Sequence, residues 1–155
     1  MQLKSILNSV EKHKGFIYSH VSWDKKALKK TLLIHVRPHA RCEGYCSGCG
    51  VQGRHYDTLA VRHFQYVPLW AILVFFVYAM RRIDCRSCGV TVERVPWSAG
   101  KERPCFVYRA FLANWAKRLS WSETARIFHT SWGVVFRAVA WVVAWGLEHR
   151  SLDGI

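Results

Sequence analysis

The chain has 155 residues, of which 51% are hydrophobic, so it can bury the core of one ordinary domain or two small ones and does not have a disordered composition. Its 23 Lys and Arg residues outnumber its 10 Asp and Glu residues, and the net charge of +13 favours polyanionic partners such as nucleic acid or an anionic membrane. Residues 1–10 mix polar with aliphatic side chains and lack the apolar core of a secretory signal. We therefore expect a cytoplasmic protein whose cysteines stay reduced and are suited to metal binding.

Residues 1–40 are predicted to form a short helix and a β-hairpin. Apolar residues recur at helical spacing from Leu3 to Val10, and the β-rich runs 16–21 and 31–36 follow. The turn between those runs carries four lysines: Lys25, Lys26, Lys29 and Lys30. The lysines either contact nucleic-acid phosphates or only keep a turn solvated, and the sequence leaves both interpretations open.

Residues 41–97 are predicted to be a β-rich domain, with strands over 62–66, 72–83 and 90–95. The apolar stretch 67–80 is shorter than the roughly 20 residues of a membrane-spanning helix, and its β-branched and aromatic content favours a buried strand. We therefore expect no membrane association. The segment 97–101 breaks the β pattern, which places a domain boundary between Pro96 and Pro104.

Two copies of Cys-x-x-Cys-Gly, with 35 residues between Cys49 and Cys85, supply four potential metal ligands: Cys46, Cys49, Cys85 and Cys88. Structural zinc takes four tetrahedral donors, and each motif bends the backbone so that two thiolates reach one ion. The interval is longer than the usual 15 to 20 or so residues, so a β-segment is expected between the motifs. We predict one structural zinc ion rather than a redox pair, with Cys42 as a less favoured ligand and Cys105 as a buried apolar residue.

Residues 104–150 are predicted to be an all-α domain that contains a helix-turn-helix. A first helix spans 106–119, and the sequence Ser120-Trp-Ser-Glu123 matches a capping box that begins a short helix over 121–128. A tight turn at His129-Thr130 then leads to a long helix that runs to Trp145. A short helix, a tight turn and a long helix are typical of DNA-binding helix-turn-helix motifs.

The start of the long helix is the predicted DNA-reading surface, because the second helix of such a motif enters the major groove. Its outward-facing residues are Ser131, Trp132, Gly133, Phe136 and Arg137. Arg137 is expected either to pair with guanine or to clamp a phosphate, whereas two aromatic residues one turn apart are more often core than base contacts. The nearly all-apolar segment 134–145 predicts an interface with a second copy or with a separate domain.

These motifs resemble the N-terminal half of bacterial insertion-sequence transposases of the ISL-three type, in the stretches 46–50, 81–101 and 111–139. Members of that family join a zinc ribbon, a helix-turn-helix and an RNase-H-like DDE catalytic domain. The resemblance implies zinc ligands at the four cysteines of the two motifs and a recognition helix that starts near Ser131. The given sequence reaches about the point at which such a protein passes into its catalytic domain, and it contains no acidic residues beyond that point to build a DDE set. We therefore expect a chain that is not an enzyme and that binds transposon ends without cutting them.

The sequence thus predicts an α+β protein in which a β-rich zinc ribbon is followed by an all-α helix-turn-helix domain. Its expected partners are double-stranded DNA at terminal inverted repeats and, through the apolar C-terminal helix, a second copy or a separate catalytic transposase chain. Two other functions stay open: an interaction protein that pairs with intact transposase and inhibits it, and a small zinc-ribbon transcription regulator. Binding to DNA only when transposase is present would favour the inhibitor.

Overall fold

The computed structural model describes residues 2–150, which form two compact units with a boundary between Arg103 and Pro104. The elements of the first unit are α1 (Leu3–Val10), β1 (Phe16–Trp23), β2 (Thr31–Pro38), β3 (Gly44–Tyr45), β4 (Gln52–Leu69), β5 (Ile72–Cys85) and β6 (Gly89–Val92). Those of the second are α2 (Phe106–Trp115), α3 (Trp121–Ile127) and α4 (Trp132–Glu148). The chain therefore has a mixed α+β fold.

The strands of the first unit form one mixed sheet in the order β1-β2-β5-β4-β3, with β6 paired to β5. Strands β2 and β5 are parallel, with Thr31 opposite Leu73, and the other pairs are antiparallel. The sequence predicts separate domains for residues 1–40 and 41–97. The structure instead has one unit here, because β2 hydrogen-bonds to β5 along the edge that does not face β1.

Strands β4 and β5 form the long hairpin that separates the two cysteine motifs. They contain 18 and 14 residues and meet at Trp70 and Ala71, whose φ angles are 49° and 60°. Positive φ at both central residues is typical of a type I′ turn. The backbone twist of such a turn matches the twist of the two strands that flank a two-residue hairpin loop. The β-segment predicted between the motifs is confirmed, and β4 extends well beyond the predicted strand at 62–66.

Aromatic side chains pack around Trp97 to form the core of the first unit. Trp97 is fully buried in the segment after β6 and makes T-shaped ring contacts with Phe16, Phe76 and Tyr78. The Phe76 ring also stacks on Tyr66, with 4.6 Å between the ring centroids. Because each of these rings removes a large apolar area from water, the cluster holds the segment after β6 against the sheet.

The predicted capping box at the start of α3 is confirmed. The Ser120 side chain accepts a hydrogen bond from the Glu123 backbone N–H, and the Glu123 carboxylate accepts one from the Ser120 N–H, each at 3.2 Å. Helix α2 ends at Trp115, before the predicted end at Leu119. Residues 116–119 form a turn instead, in which the N–H groups of Arg118 and Leu119 both donate to the Trp115 carbonyl, at 2.9 and 3.0 Å. Ser120 then adopts an extended backbone, with ψ of 154°, and caps α3.

The core of the second unit lies where its three helices meet. Leu112 of α2 and Val135 of α4 are fully buried, and Ala125 of α3 is nearly so. The Tyr108 hydroxyl donates a hydrogen bond to the backbone carbonyl of Phe128 at 3.1 Å, which fixes the end of α3. The small side chain of Ala125 therefore lies in the packed interior of this unit.

Within residues 2–150, no single helix is long and apolar enough to cross a membrane. Helices α3 and α4 meet the requirements of length and composition only when they are counted together, and they are bent by 114° relative to each other. The apolar stretch 67–80 forms the end of β4, the turn and most of β5.

Candidate functional site

The two Cys-x-x-Cys-Gly motifs bring four thiols together at one end of the sheet. The Sγ atoms of Cys46, Cys49, Cys85 and Cys88 all lie within 4.8 Å of one another. The first motif precedes β4 and the second joins the last residue of β5 to the first residue of β6, so the β4–β5 hairpin folds one motif onto the other. Cys42 lies outside this group of four.

The sulfur spacing fits a tetrahedral metal site. Zinc–sulfur bonds of about 2.3 Å place the sulfur atoms of a tetrahedron about 3.8 Å apart, and the Sγ atoms of Cys49 and Cys85 are 3.4 Å apart. Cys46 and Cys85 are buried, whereas Cys49 and Cys88 are exposed, and all four are free thiols. The four cysteines could therefore hold a metal ion at the boundary between the sheet and solvent.

Local hydrogen bonds favour the thiolate form of Cys46. Its Sγ atom lies 3.3 Å from the Thr91 hydroxyl and accepts a hydrogen bond from the Gly48 N–H at 3.4 Å. The hydrogen bond with Thr91, followed by one from the Cys49 backbone, lowers the pKa of Cys46 to about 6. Hydrogen bonds with the neighbouring thiols of Cys49 and Cys46 raise the pKa of Cys88 to about 12. Four thiolates at this spacing need a cation to offset their charge.

The glycine that follows each cysteine pair has a backbone role. Gly50 and Gly89 have φ angles of 74° and 71°, which residues with a side chain rarely adopt. In the first motif, the Gly50 N–H donates to the Cys46 carbonyl at 3.0 Å, and the Cys46 N–H donates to the Val51 carbonyl at 2.8 Å. These turns direct both thiols of a pair toward the same point.

A buried ion pair between Arg81 and Glu93, which no sequence motif predicts, supports the cysteine end of the sheet. The Glu93 carboxylate is fully buried and accepts hydrogen bonds from the Tyr78 hydroxyl at 2.5 Å, the Arg81 backbone N–H at 2.8 Å and Arg81 Nε at 2.9 Å. Arg81 Nη1 also donates to the Cys42 carbonyl at 2.9 Å. No sequence motif marks a charged pair of this kind, since its contact depends on how the segment after β6 lies against β5.

The predicted DNA-reading residues lie at the start of α4. Ser131 is its N-cap and accepts a hydrogen bond from the Val134 N–H at 3.4 Å. Ser131, Trp132, Phe136 and Arg137 are exposed, and Gly133 is half-buried. A Cβ atom at Gly133 would lie 3.5 Å from Nη1 of Arg137, so the guanidinium folds back along α4 toward its N-terminus.

The two aromatic residues at the start of α4, Trp132 and Phe136, form a surface cluster rather than part of the core. The rings of Trp132 and Phe136 stack with an interplanar angle of 7° and a centroid distance of 5.5 Å. Both rings also contact Trp121, the first residue of α3, at 5.5 and 5.7 Å. The turn between the helices passes through His129, whose φ of 52° is a conformation in which glycine is common.

The four predicted lysines belong to the first unit and lie in the loop between β1 and β2. Lys25, Lys26, Lys29 and Lys30 are all exposed. The Lys26 backbone N–H donates to the Asp24 carboxylate at 2.9 Å, which shapes the start of the loop. The fold thus separates this basic loop from the cysteine end of the same sheet.

These features define an α+β protein with a potential four-thiolate metal centre in its β-rich unit and a separate three-helix unit. Over 123 residues the chain is 24% identical to the transposase for insertion sequence element IS1557 of Mycobacterium tuberculosis, in strains CDC 1551 / Oshkosh and H37Rv. The match covers 79% of this chain and 27% of the relative, so the chain spans about a quarter of the length of the curated relatives it matches. No family model and no solved structure matches the chain. The likeness supports a relationship to insertion-sequence transposases.

Proposed function

We propose that this chain is a zinc-stabilised DNA-binding protein that recognises transposon terminal inverted repeats, as the non-catalytic half of a transposase. The observation that carries the proposal is the exposed start of α4, which follows a short, capped helix and a tight turn. The likeness to an insertion-sequence transposase supports the choice of transposon DNA as the ligand. The ISL-three type of transposase, which the sequence resembles, is the family we propose.

Zinc is the metal we propose for the four cysteines. A tetrahedral set of four thiolates suits zinc or iron–sulfur chemistry, and a site closed by four protein ligands is typical of structural zinc. In this role the ion offsets the charge of the thiolates and joins the turn before β4 to the turn before β6. Each motif supplies half of the ligands, so removal of the metal is expected to loosen this end of the sheet.

Helix α4 is the proposed recognition helix. The angle of 114° between α3 and α4 lies in the range of about 90 to 120° that helix-turn-helix motifs adopt. Arg137 has the donor geometry to bind guanine through two hydrogen bonds, and the rings of Trp132 and Phe136 are suited to apolar contact with thymine methyl groups. Contacts with phosphates fix the position of a protein on DNA without reading its sequence, and we assign that role to the lysines of the β1–β2 loop.

Fluorescence anisotropy with a cognate duplex and a scrambled duplex separates these two roles. Arg137→Ala is expected to cost about 1 to 3 kcal/mol on the cognate duplex and little on the scrambled one, because a guanine contact carries sequence information. Replacing Lys25, Lys26, Lys29 and Lys30 with glutamine should weaken binding to both duplexes and lower the slope of log affinity against log salt by about 3.6. If the Arg137→Ala protein binds both duplexes like the wild type, α4 is not part of the DNA interface.

A second candidate function rests on the last part of α4. Val143, Trp145 and Leu147 are each more than half exposed, which leaves an apolar surface in the second unit. Such a surface is suited to pairing with a second copy or with a catalytic transposase chain, and pairing with intact transposase would make the protein an inhibitor. Light scattering of the wild type and of Trp145→Ser tests for pairing between copies, and DNA binding that requires added transposase would favour the inhibitor.

A further inference from the structure

Two connections of the first unit emerge from the same end of the sheet. Strand β1 ends at Trp23, which lies opposite Leu32 near the start of β2, and the first residue of β2 lies opposite Leu73 near the start of β5. The Leu73 N–H also donates to the Lys30 carbonyl at 3.3 Å. The β1–β2 loop, residues 24–30, therefore lies beside the β4–β5 turn at Trp70 and Ala71. The cysteine motifs flank the opposite ends of β4 and β5.

Three large apolar side chains are exposed at this end of the sheet. Leu28 is 106% exposed, Trp70 is 83% exposed and Trp23 is 56% exposed. Loops and two-residue hairpin turns ordinarily carry polar residues or glycine, and a tryptophan with a φ of 49° is unusual. Trp23 and Leu28 also line an open cleft of about 530 Å³. Side chains of this size at such positions indicate a contact surface.

The same end of the sheet is strongly basic. Residues 23–31 carry four lysines and one acid, Asp24, and have a net charge of +3. All four lysines are exposed, and they lie on both sides of Leu28 in the loop. An apolar tip flanked by cations complements a duplex groove, in which sugar and base edges lie between two rows of phosphates.

We propose that this end of the sheet, formed by the β1–β2 loop and the Trp70–Ala71 turn, is a second DNA-contacting surface. In this proposal the lysines neutralise phosphates, while Leu28 and Trp70 enter the minor groove and wedge apart a base step. Apolar wedges of this kind kink the duplex, which lets DNA contact more of the protein surface. The surface binds duplex DNA largely irrespective of sequence, and its affinity adds to that of the sequence-specific contacts made by α4. The inference rests on the proposed DNA-binding function.

The test compares the full chain with a Leu28→Ser/Trp70→Asn double variant. Asparagine tolerates positive φ, so the turn is expected to keep its conformation, and both replaced side chains are exposed. Affinity is measured by anisotropy on cognate and scrambled duplexes, and bending by energy transfer between dyes on the two duplex ends. The double variant should lose about tenfold in affinity on both duplexes, as expected for the loss of an apolar base contact, and should no longer bend them. Because its lysines remain, its salt dependence should match that of the wild type.

A Val61→Thr variant is the matched control, since Val61 is an exposed apolar residue in the middle of β4, away from both ends of the sheet. It should bind and bend DNA like the wild type. A double variant that does the same would overturn the proposal and leave the reading by α4 intact. If the wild type binds no duplex at all, the proposed function fails together with this inference. Sedimentation with phosphatidylserine vesicles gives a further outcome: vesicle binding that the double variant loses, with unchanged DNA affinity, would assign the surface to lipid and overturn the proposal.

Discussion

Replacing Arg81 with methionine is expected to destabilise the first unit, because it leaves the buried Glu93 carboxylate without its cation. Methionine keeps most of the apolar stem of arginine, so the change tests the charge rather than the packing. Removing one partner of a buried ion pair typically costs about 3 to 5 kcal/mol. The carboxylate keeps two of its hydrogen bonds, from the Tyr78 hydroxyl and from the backbone N–H at position 81, which favours the lower end of that range.

The loop before β3 adds a smaller contribution. The Cys42 carbonyl loses the hydrogen bond from Arg81 Nη1, and a typical intramolecular hydrogen bond contributes about 1 kcal/mol to stability. We therefore expect Arg81→Met to lower the free energy of unfolding of the first unit by about 3 to 4 kcal/mol. Adding Glu93→Gln should restore part of this loss, because a neutral amide is cheaper to bury than a carboxylate without its cation.

Amide hydrogen exchange of the β5 core in a urea series is the appropriate assay, since β5 belongs to the first unit alone. The order of stability is expected to be wild type, then the double variant, then Arg81→Met. The reasoning would be refuted if Arg81→Met lay within 1 kcal/mol or so of the wild type, or if the double variant were less stable than Arg81→Met.

Three further results are expected. Elemental analysis should find one zinc ion per chain. The Cys46→Ser variant should lose this ion and Cys42→Ser should keep it, since Cys42 lies outside the cluster. A folded wild-type protein without metal would contradict the assignment of the zinc site. The hydrogen bond from the Ser120 side chain lowers the pKa of Glu123 below the unfolded-state pKa of about 4.3. The stability that ionised Glu123 contributes is therefore complete above the unfolded-state pKa and is lost as pH falls through the folded-state pKa. Acid unfolding of the second unit should therefore become less pH-dependent in Glu123→Gln, and an unchanged acid transition would count against the capping box. Leu112→Ala should cost about 2 to 5 kcal/mol in urea denaturation because Leu112 is fully buried, and a cost below about 1 kcal/mol would mean that this core is loosely packed.

Features with a local cause could be predicted from the sequence. The capping box at Ser120 and Glu123 forms as expected, because both hydrogen bonds join residues three apart in the chain. Each cysteine pair forms a turn whose geometry its own glycine permits, and the β-branched run that begins at Ile72 forms β5. Each of these depends on a stretch of a few residues, so a motif or a periodicity is enough to indicate it.

Features that depend on distant partners could not be predicted. The parallel pairing of β2 with β5 joins segments about 40 residues apart, and neither strand carries a pattern that names its partner. The β4–β5 turn uses Trp70 and Ala71 in place of the Asn-Gly or Asp-Gly pair that marks such turns in a sequence. Trp70 therefore appears in the sequence as part of an apolar stretch, and its place beside the lysine loop emerges only from the strand register.

Selection of bound duplexes from a random pool tests the central claim, that this chain reads DNA sequence through α4. The wild-type protein is expected to enrich a recurrent sequence that contains guanine and to bind it far more tightly than a scrambled duplex. Arg137→Ala should lose most of that preference while it keeps its affinity for scrambled DNA, because the guanine contact carries the discrimination. A pool that shows no enrichment, or the same enriched sequence and the same preference with Arg137→Ala, would contradict the account.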